Sequence, residues 1–248
     1  MITATFQEES FRDRVALVSG GTSGIGAAIA GALATLGARV TVTGATEAEA
    51  AAARERCGLW WEGAIGLDVR DASAIAAYFA KLDQLDILVN CAGIIRRGDE
   101  HDPKVFAEVL DVNLNGTMRL CAAARPLLAK TRGCIVNTAS VLSYFGGALV
   151  PGYSASKGGV AQLTKSLAIA YAPDQIRVNA IAPGWIATPL TEPLRSDPVR
   201  NEAIVARTPL GRWGAPEDLA GAAVFLCSPA ASFITGAILA VDGGYLAM

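Results

Sequence analysis

The chain has 248 residues, 52% of them apolar and only 18% charged, with a formal net charge of −2. That length fits one large α/β domain, and that composition gives it a sizeable core to bury. The lack of a basic block excludes an electrostatic footprint for nucleic acid, and the most apolar stretch, Ala27 to Ala38, is too short and too interrupted by Gly31, Thr35 and Gly37 to span a membrane.

Residues 1–11 carry neither a positive n-region nor an apolar segment, so they read as an N-terminal extension and not as a secretory signal. The first strand is expected at 15–19, followed at once by Gly20-Gly21-Thr22-Ser23-Gly24-Ile25-Gly26 and a helix over 25–36. Further strands are expected at 39–43, 64–68, 87–90, 134–139, 177–182 and 238–241, with helices over 48–56, 72–82, 103–128 and 152–172. Strands apolar on both faces and separated by helices predict an α/β architecture. It is a single-domain, Rossmann-like, doubly wound parallel sheet of about seven strands with helices on both faces, covering 1–248. Residues 184–215 break the rhythm with repeated prolines, and so long a connection predicts a substrate-binding loop or lid with one or two short helices. A helix start follows at Pro216, with Glu217 and Asp218 where the dipole favours acids.

The five cysteines (57, 91, 121, 134, 227) show no CxxC spacing and predict reduced, mostly buried thiols in a cytoplasmic protein. His101 is the one histidine, flanked by Glu100 and Asp102, and reads as a solvated loop residue. No metal is expected from a single histidine and unpaired cysteines, and Ser-His-Asp hydrolysis is set aside on the same ground.

Chemistry concentrates at strand ends. Glycines at 20, 24 and 26 let the backbone turn sharply and present helix N–H groups to a pyrophosphate, which points to dinucleotide binding with Thr22, Ser23 and Ile25 in the same turn. After the second strand, Thr43-Gly44-Ala45-Thr46 offers neither the acid of an NAD site nor the arginine of an NADP site. With no cation in view and Glu47 and Glu49 nearby, the cofactor reading leans to NAD over NADP, Thr46 being the residue that could still meet a phosphate. Asp68-Val69 places a carboxylate within reach of an adenine amino group, and Asn90-Cys91-Ala92-Gly93 offers small residues against which a cofactor can lie. Tyr153 and Lys157 lie one helical turn apart and share a face. A cation there favours the phenolate and lowers the tyrosine pKa, and Ser140 can bring a hydroxyl to the same place. Asn113 falls inside the long 103–128 helix, where asparagine is ordinarily solvated or locally bonded.

Gly20-x3-Gly24-Ile25-Gly26, Asp68-Val69, Asn90-x-Ala92-Gly93, Asn113, Ser140, Tyr153-x3-Lys157 and Pro183-Gly184 with Thr188 occur in the order and spacing of the short-chain dehydrogenase/reductase family, and the chain resembles that family over its whole length. Ser19 and Cys91 depart from it conservatively. The resemblance implies a tetrad. Tyr153 is then the acid/base, Lys157 lowers its pKa and holds the nicotinamide ribose, Ser140 binds the substrate oxygen and Asn113 holds a relay water. It also implies cofactor contacts from Pro183, Gly184, Ile186 and Thr188, and a homotetramer built on the helices over 103–128 and 152–172 and the C-terminal strand.

Finer segments, among them Ile94-Ile95-Arg96-Arg97, Ser140 to Gly147 and Ala240 to Leu246, are similar to bacterial sugar-acid dehydrogenases acting on gluconate or deoxy-keto-gluconates. The substrate candidates are Arg96, Ser140, Leu142, Tyr153 and Trp185, with Arg96 or Arg97 able to pair a carboxylate or, equally, to face solvent. A 3-oxoacyl-carrier-protein reductase using NADPH and a non-catalytic dinucleotide-binding regulator are the alternatives.

Overall fold

The computed structural model describes residues 2–57 and 62–248, apart from the side chains of Arg56 and Cys57; the Cys57 thiol therefore lies outside the described residues. Among those described, the strands β1 (Val15–Ser19), β2 (Arg39–Gly44), β3 (Gly63–Gly66), β4 (Ile87–Asn90), β5 (Cys134–Thr138), β6 (Arg177–Pro183) and β7 (Ile238–Val241) form one seven-stranded sheet, ordered β3-β2-β1-β4-β5-β6-β7. Every pairing is parallel. The helices are α1 (Gly24–Thr35), α2 (Glu47–Cys57), α3 (Ala72–Phe79), α4 (Pro103–Leu110), α5 (Gly116–Thr131), α6 (Pro151–Tyr171), α7 (Glu192–Arg195), α8 (Pro198–Arg207) and α9 (Pro216–Cys227).

Alternation along the strands sorts the core into two layers. Ala16 and Val18 of β1, Ile87 and Val89 of β4 and Val136 of β5 face α1, α2 and α9, where Ile29, Leu33, Leu219 and Val224 are buried. Leu17, Leu88 and Ile135 face the opposite side and pack with Ile75, Leu120, Leu128 and Leu167 of α3, α5 and α6. The Ala-rich α1 is a buried core helix, as its sequence predicts, and among the described residues no helix is long and apolar enough to cross a membrane. The N-terminal extension is tied in: Phe11 is buried in the first layer, with Ile2 and Phe6 against it.

Strand positions agree with the sequence to within two residues, β3 ending early at Gly66. The larger departure is the helix expected over 103–128. It divides into α4 and α5 at a π-turn, Asp111–Asn115, whose extra residue swings Asn113 out of the helix surface and into the interior, where it is fully buried. Residues 184–215 carry a 3-10 turn at Pro189–Thr191 and then α7 and α8, and the segment returns to the sheet where the Gly214 N–H donates to the Trp185 carbonyl (2.9 Å).

Several helix starts are capped by their own residues. Asp102 accepts from the Lys104 and Val105 N–H groups at the start of α4, and Asp197 from Val199 and Arg200 at the start of α8. At the start of α6 the capping position is Val150, which has no side-chain acceptor.

Candidate functional site

The strand order reverses between β1 and β4, so the connections leaving their carboxyl ends diverge and open a crevice. Gly20 and Gly24 turn through φ +67° and +54°, a region costly for residues with a side chain. A Cβ on Gly20 would lie 2.5 Å from the Ala92 nitrogen, so glycine is required where the turn meets the end of β4. Ser23, at the head of α1, makes no capping bond with its side chain, which leaves the first N–H groups of that helix for an anion in the crevice.

From this turn a cleft of about 560 Å³ runs in both directions, a volume suited to a cofactor. Gly20, Thr22, Ser23, Gly24, Ile25, Gly26, Asp68, Val69, Ala92, Gly93, Pro183, Gly184, Ile186 and Thr188 line it, together with Ser140, Tyr153 and Lys157. Two of the cofactor candidates do not. Thr46 lies outside the wall and accepts from the Glu49 N–H at 3.2 Å, closing the first turn of α2. Asn90 is turned inward, donating to Asn137 Oδ1 at 2.9 Å and tying β4 to β5.

At the end of the cleft beside β2, Glu49, one of the two acids noted in the sequence, lines the wall beside Gly44 and Ala45, its Oε2 accepting from the Ala45 N–H at 2.8 Å. Arg70 brings a cation that the sequence reading left out. Its guanidinium forks onto both oxygens of Asp68 (2.7–3.1 Å), so Asp68 is partnered by Arg70 and held below the usual carboxylate range by that bond.

At the other end the four tetrad candidates converge. Lys157 is 4% exposed, donates to the Thr138 carbonyl at 2.7 Å and lies 5.6 Å from the Tyr153 ring centroid. Asn113 Oδ1 accepts from the Ile94 N–H (2.8 Å) and its Nδ2 donates to the Ile94 carbonyl (3.0 Å) and to Ser156 Oγ (3.0 Å). It thus pins the loop after β4 beneath Gly93, close to Lys157. Ser140 Oγ accepts from the Leu142 N–H at 3.1 Å, which leaves its proton to donate to the Tyr153 phenol.

The electrostatics correct one expectation. Burial pushes the Tyr153 phenol up to about 12, and the groups that draw it back are the Ser140 hydroxyl and Arg97, against an upward push from Glu100. Lys157 is not among them. Its own ammonium is depressed to about 8 by burial, offset by Cys91, because a cation out of water loses its hydration.

Beside the cleft lies a second cavity of about 320 Å³, sharing Ser140, Tyr153, Gly184, Leu190 and Thr191 with it. Its other walls are largely apolar: Val141, Leu142, Phe145, Leu149, Val150 and Trp185. The cation in this wall is Arg97, half-buried, whose guanidinium holds its proton less tightly than usual because of burial and nearby Arg200. Arg96, the sequence candidate, is exposed, sits on the cofactor side of the loop and reaches Glu108 at 3.4 Å. The two adjacent arginines thus line different cavities, Arg96 the larger cleft and Arg97 the smaller, and a doublet of identical residues gives no sign of which goes where.

A family model described as enoyl-(acyl carrier protein) reductase matches residues 20–246. The chain is 46% identical, over 96% of both proteins, to the 2-dehydro-3-deoxy-D-gluconate 5-dehydrogenase of Bacillus subtilis. It is 44% identical, over 97% of its own length and 99% of the relative's, to the cis-4-hydroxycyclohexanecarboxylate dehydrogenase of Sinomonas cyclohexanicum. A crystal structure from Agrobacterium tumefaciens, described as a 2-deoxy-D-gluconate 3-dehydrogenase with bound NADP, superposes with a TM-score of 0.88 at 45% identity, covering 98% of this chain and all of that one. On the sequence order of its strand-end motifs, the switch-point cleft and these full-length matches, the chain belongs to the short-chain dehydrogenase/reductase family of oxidoreductases.

Proposed function

We propose that the protein interconverts a secondary alcohol and a ketone on a sugar acid of the gluconate or deoxy-keto-gluconate type, with a nicotinamide dinucleotide in the larger cleft. The observation that carries this reading is the meeting of Ser140 and Tyr153 in the wall shared by a dinucleotide-sized cleft and a smaller pocket that holds one arginine. The nicotinamide, when bound, supplies or takes up the hydride.

In reduction, Tyr153 donates its proton to the carbonyl oxygen; in oxidation it accepts one from the alcohol. With its pKa at about 12 it stands protonated at neutral pH, ready for the first of these. Ser140 donates to the same oxygen and stabilises the charge that develops on it. Lys157, mostly charged at neutral pH with its pKa at about 8, sets the positive potential at the cleft floor and orients the ribose hydroxyls. Asn113 holds the loop that carries Ala92 and Gly93 against the cofactor and lies where a relay water would connect with Lys157. Arg97 pairs the substrate carboxylate, and Leu142 and Trp185 face its carbon chain.

Between the two cofactors, the reading favours NAD. Glu49 stands at the ribose end of the cleft and would repel a 2′-phosphate, while Arg70, the cation there, is already held by Asp68. Residues 1–248 are read as one cofactor-binding domain with 184–215 as its substrate loop. A homotetramer is the assembly favoured by Met118 of α5, Ile169 of α6 and Leu239 of β7, apolar side chains left exposed on the elements expected to pair. Free thiols at Cys91, Cys121, Cys134 and Cys227 suit a reducing cytoplasm.

The test is a panel of sugar acids, polyols and acyl ketones followed by nicotinamide absorbance, with Tyr153→Phe as control. Turnover of the sugar acids is expected, lost in Tyr153→Phe with cofactor affinity kept; activity that survives the substitution would refute the mechanism.

A further inference from the structure

Glu100 sits in a run, Gly98-Asp99-Glu100-His101-Asp102, that reads as solvated loop, yet it is 1% exposed. Its two carboxylate oxygens have different partners. Oε1 accepts from the Arg96 N–H at 2.8 Å, and Oε2 accepts from the Tyr153 N–H at 2.7 Å. A buried carboxylate is costly unless hydrogen bonds and positive potential surround it. Here the positive potential comes from the start of α6, where Tyr153 is the third helical residue and Val150 offers no cap of its own. Glu100 is thus the cap of α6, supplied from 53 residues upstream. Gly152 completes the fit, since a Cβ there would lie 3.2 Å from Glu100 Oε2.

We propose that Glu100 is a positioning residue that holds the acid/base tyrosine and the substrate-anchoring arginine in one frame, by gripping the backbone at Tyr153 and at Arg96, next to Arg97. This rests on the functional reading of Tyr153 and Arg97 given above. The substrate carboxylate and the reacting oxygen are parts of one molecule, so the spacing between Arg97 and Tyr153 must be fixed for both to engage. A single rigid carboxylate bridging the two main chains fixes it without occupying either cavity, as the absence of Glu100 from both cavity walls requires.

Glu100→Gln can accept from only one of the two N–H groups and sets an amide donor against the other. By hydrogen–deuterium exchange, peptides covering 93–100 and 150–157 are expected to lose protection together in Glu100→Gln, while β1, β4 and β5 keep theirs. In kinetics on whichever hydroxy acid the native enzyme turns over, kcat is expected to fall and KM to rise by roughly tenfold each, with cofactor Kd within about twofold, a loss of one charged hydrogen bond at each group. Gly152→Ala, which crowds Glu100 without removing it, should give the same pattern more weakly. In the native protein, the Arg96 and Tyr153 amides should share one level of protection, a measurement that needs no variant. Loosening of only one segment, unequal native protection, or an unchanged KM and kcat would overturn the proposal. If the exchange result holds while sugar acids are not turned over, the substrate reading fails and the positioning role stands.

Discussion

Replacing Asn113 with Ala removes an amide that is fully buried at the π-turn and makes three hydrogen bonds. The Ile94 N–H and carbonyl lose their partners; an unsatisfied buried group costs about 1–3 kcal/mol, and because Ile94 is only half-buried the value near 1 kcal/mol applies to each. The lost bond to Ser156 adds about 0.5–1 kcal/mol, since Ser156 still donates to the Tyr153 carbonyl. The total is about 3 kcal/mol, a sizeable part of the 5–15 kcal/mol that holds a domain together. For a chain of this length each kcal/mol moves Tm by about 2–4 °C, so thermal unfolding should fall by about 6–12 °C. The same change frees the loop carrying Ala92 and Gly93, so titration of the variant with NADH, followed by tryptophan fluorescence, should show weakened binding. A Tm within about 2 °C of the native value would refute the argument, because it would mean that the loop is held by something other than this amide.

Lys157→Met should raise stability at neutral pH. The folded pKa, depressed to about 8, lies below the unfolded one, so the native protein carries the cost of a buried cation below pH 8 and sheds it as pH rises toward the unfolded value near 10.4. The Tm gap between the variant and the native protein should therefore be widest below pH 8 and close through that window; a gap that widens with pH would contradict the sign. Ser140→Ala removes the hydroxyl that draws the phenol of Tyr153 down, so the alkaline rise of kcat/KM for alcohol oxidation should move to higher pH, and an unmoved profile would count against that hydrogen bond. Arg97→Ala should raise KM for an acid substrate roughly 10- to 100-fold, the range of a charge-assisted bond worth about 1.5–3 kcal/mol, while Arg96→Ala stays within about threefold. The reverse ranking would return the substrate to Arg96.

The sheet, its order of strands and helices and the glycine turn were legible because each is written in local pattern: β1, β4 and β7 fall at their expected bounds. What was not legible came from residues whose partners are distant in the chain. Glu100 reads as part of a charged loop until the fold sets it against an α6 whose own capping position is Val150. That missing cap before Pro151 was the available clue, since a helix with no local acceptor must find one elsewhere. Arg70 escaped notice because it follows the third strand and not the second. Tyr153 and Lys157 were placed correctly by their spacing, but the direction of the tyrosine shift depends on burial, which spacing does not reveal.

The π-turn at Asp111–Asn115 also sets the phase of the helix that follows it. One residue advances an α-helix by about 100° of rotation. If the same residues ran on as regular α-helix, the inward row of α5, Leu120, Cys121, Ala124 and Leu128, would be carried about a quarter of the way round toward water. The wide turn absorbs that extra residue, so it is a phase correction as well as a support for Asn113. The loop floor beneath Gly93 and the second core layer are thereby served by one local widening of the helix.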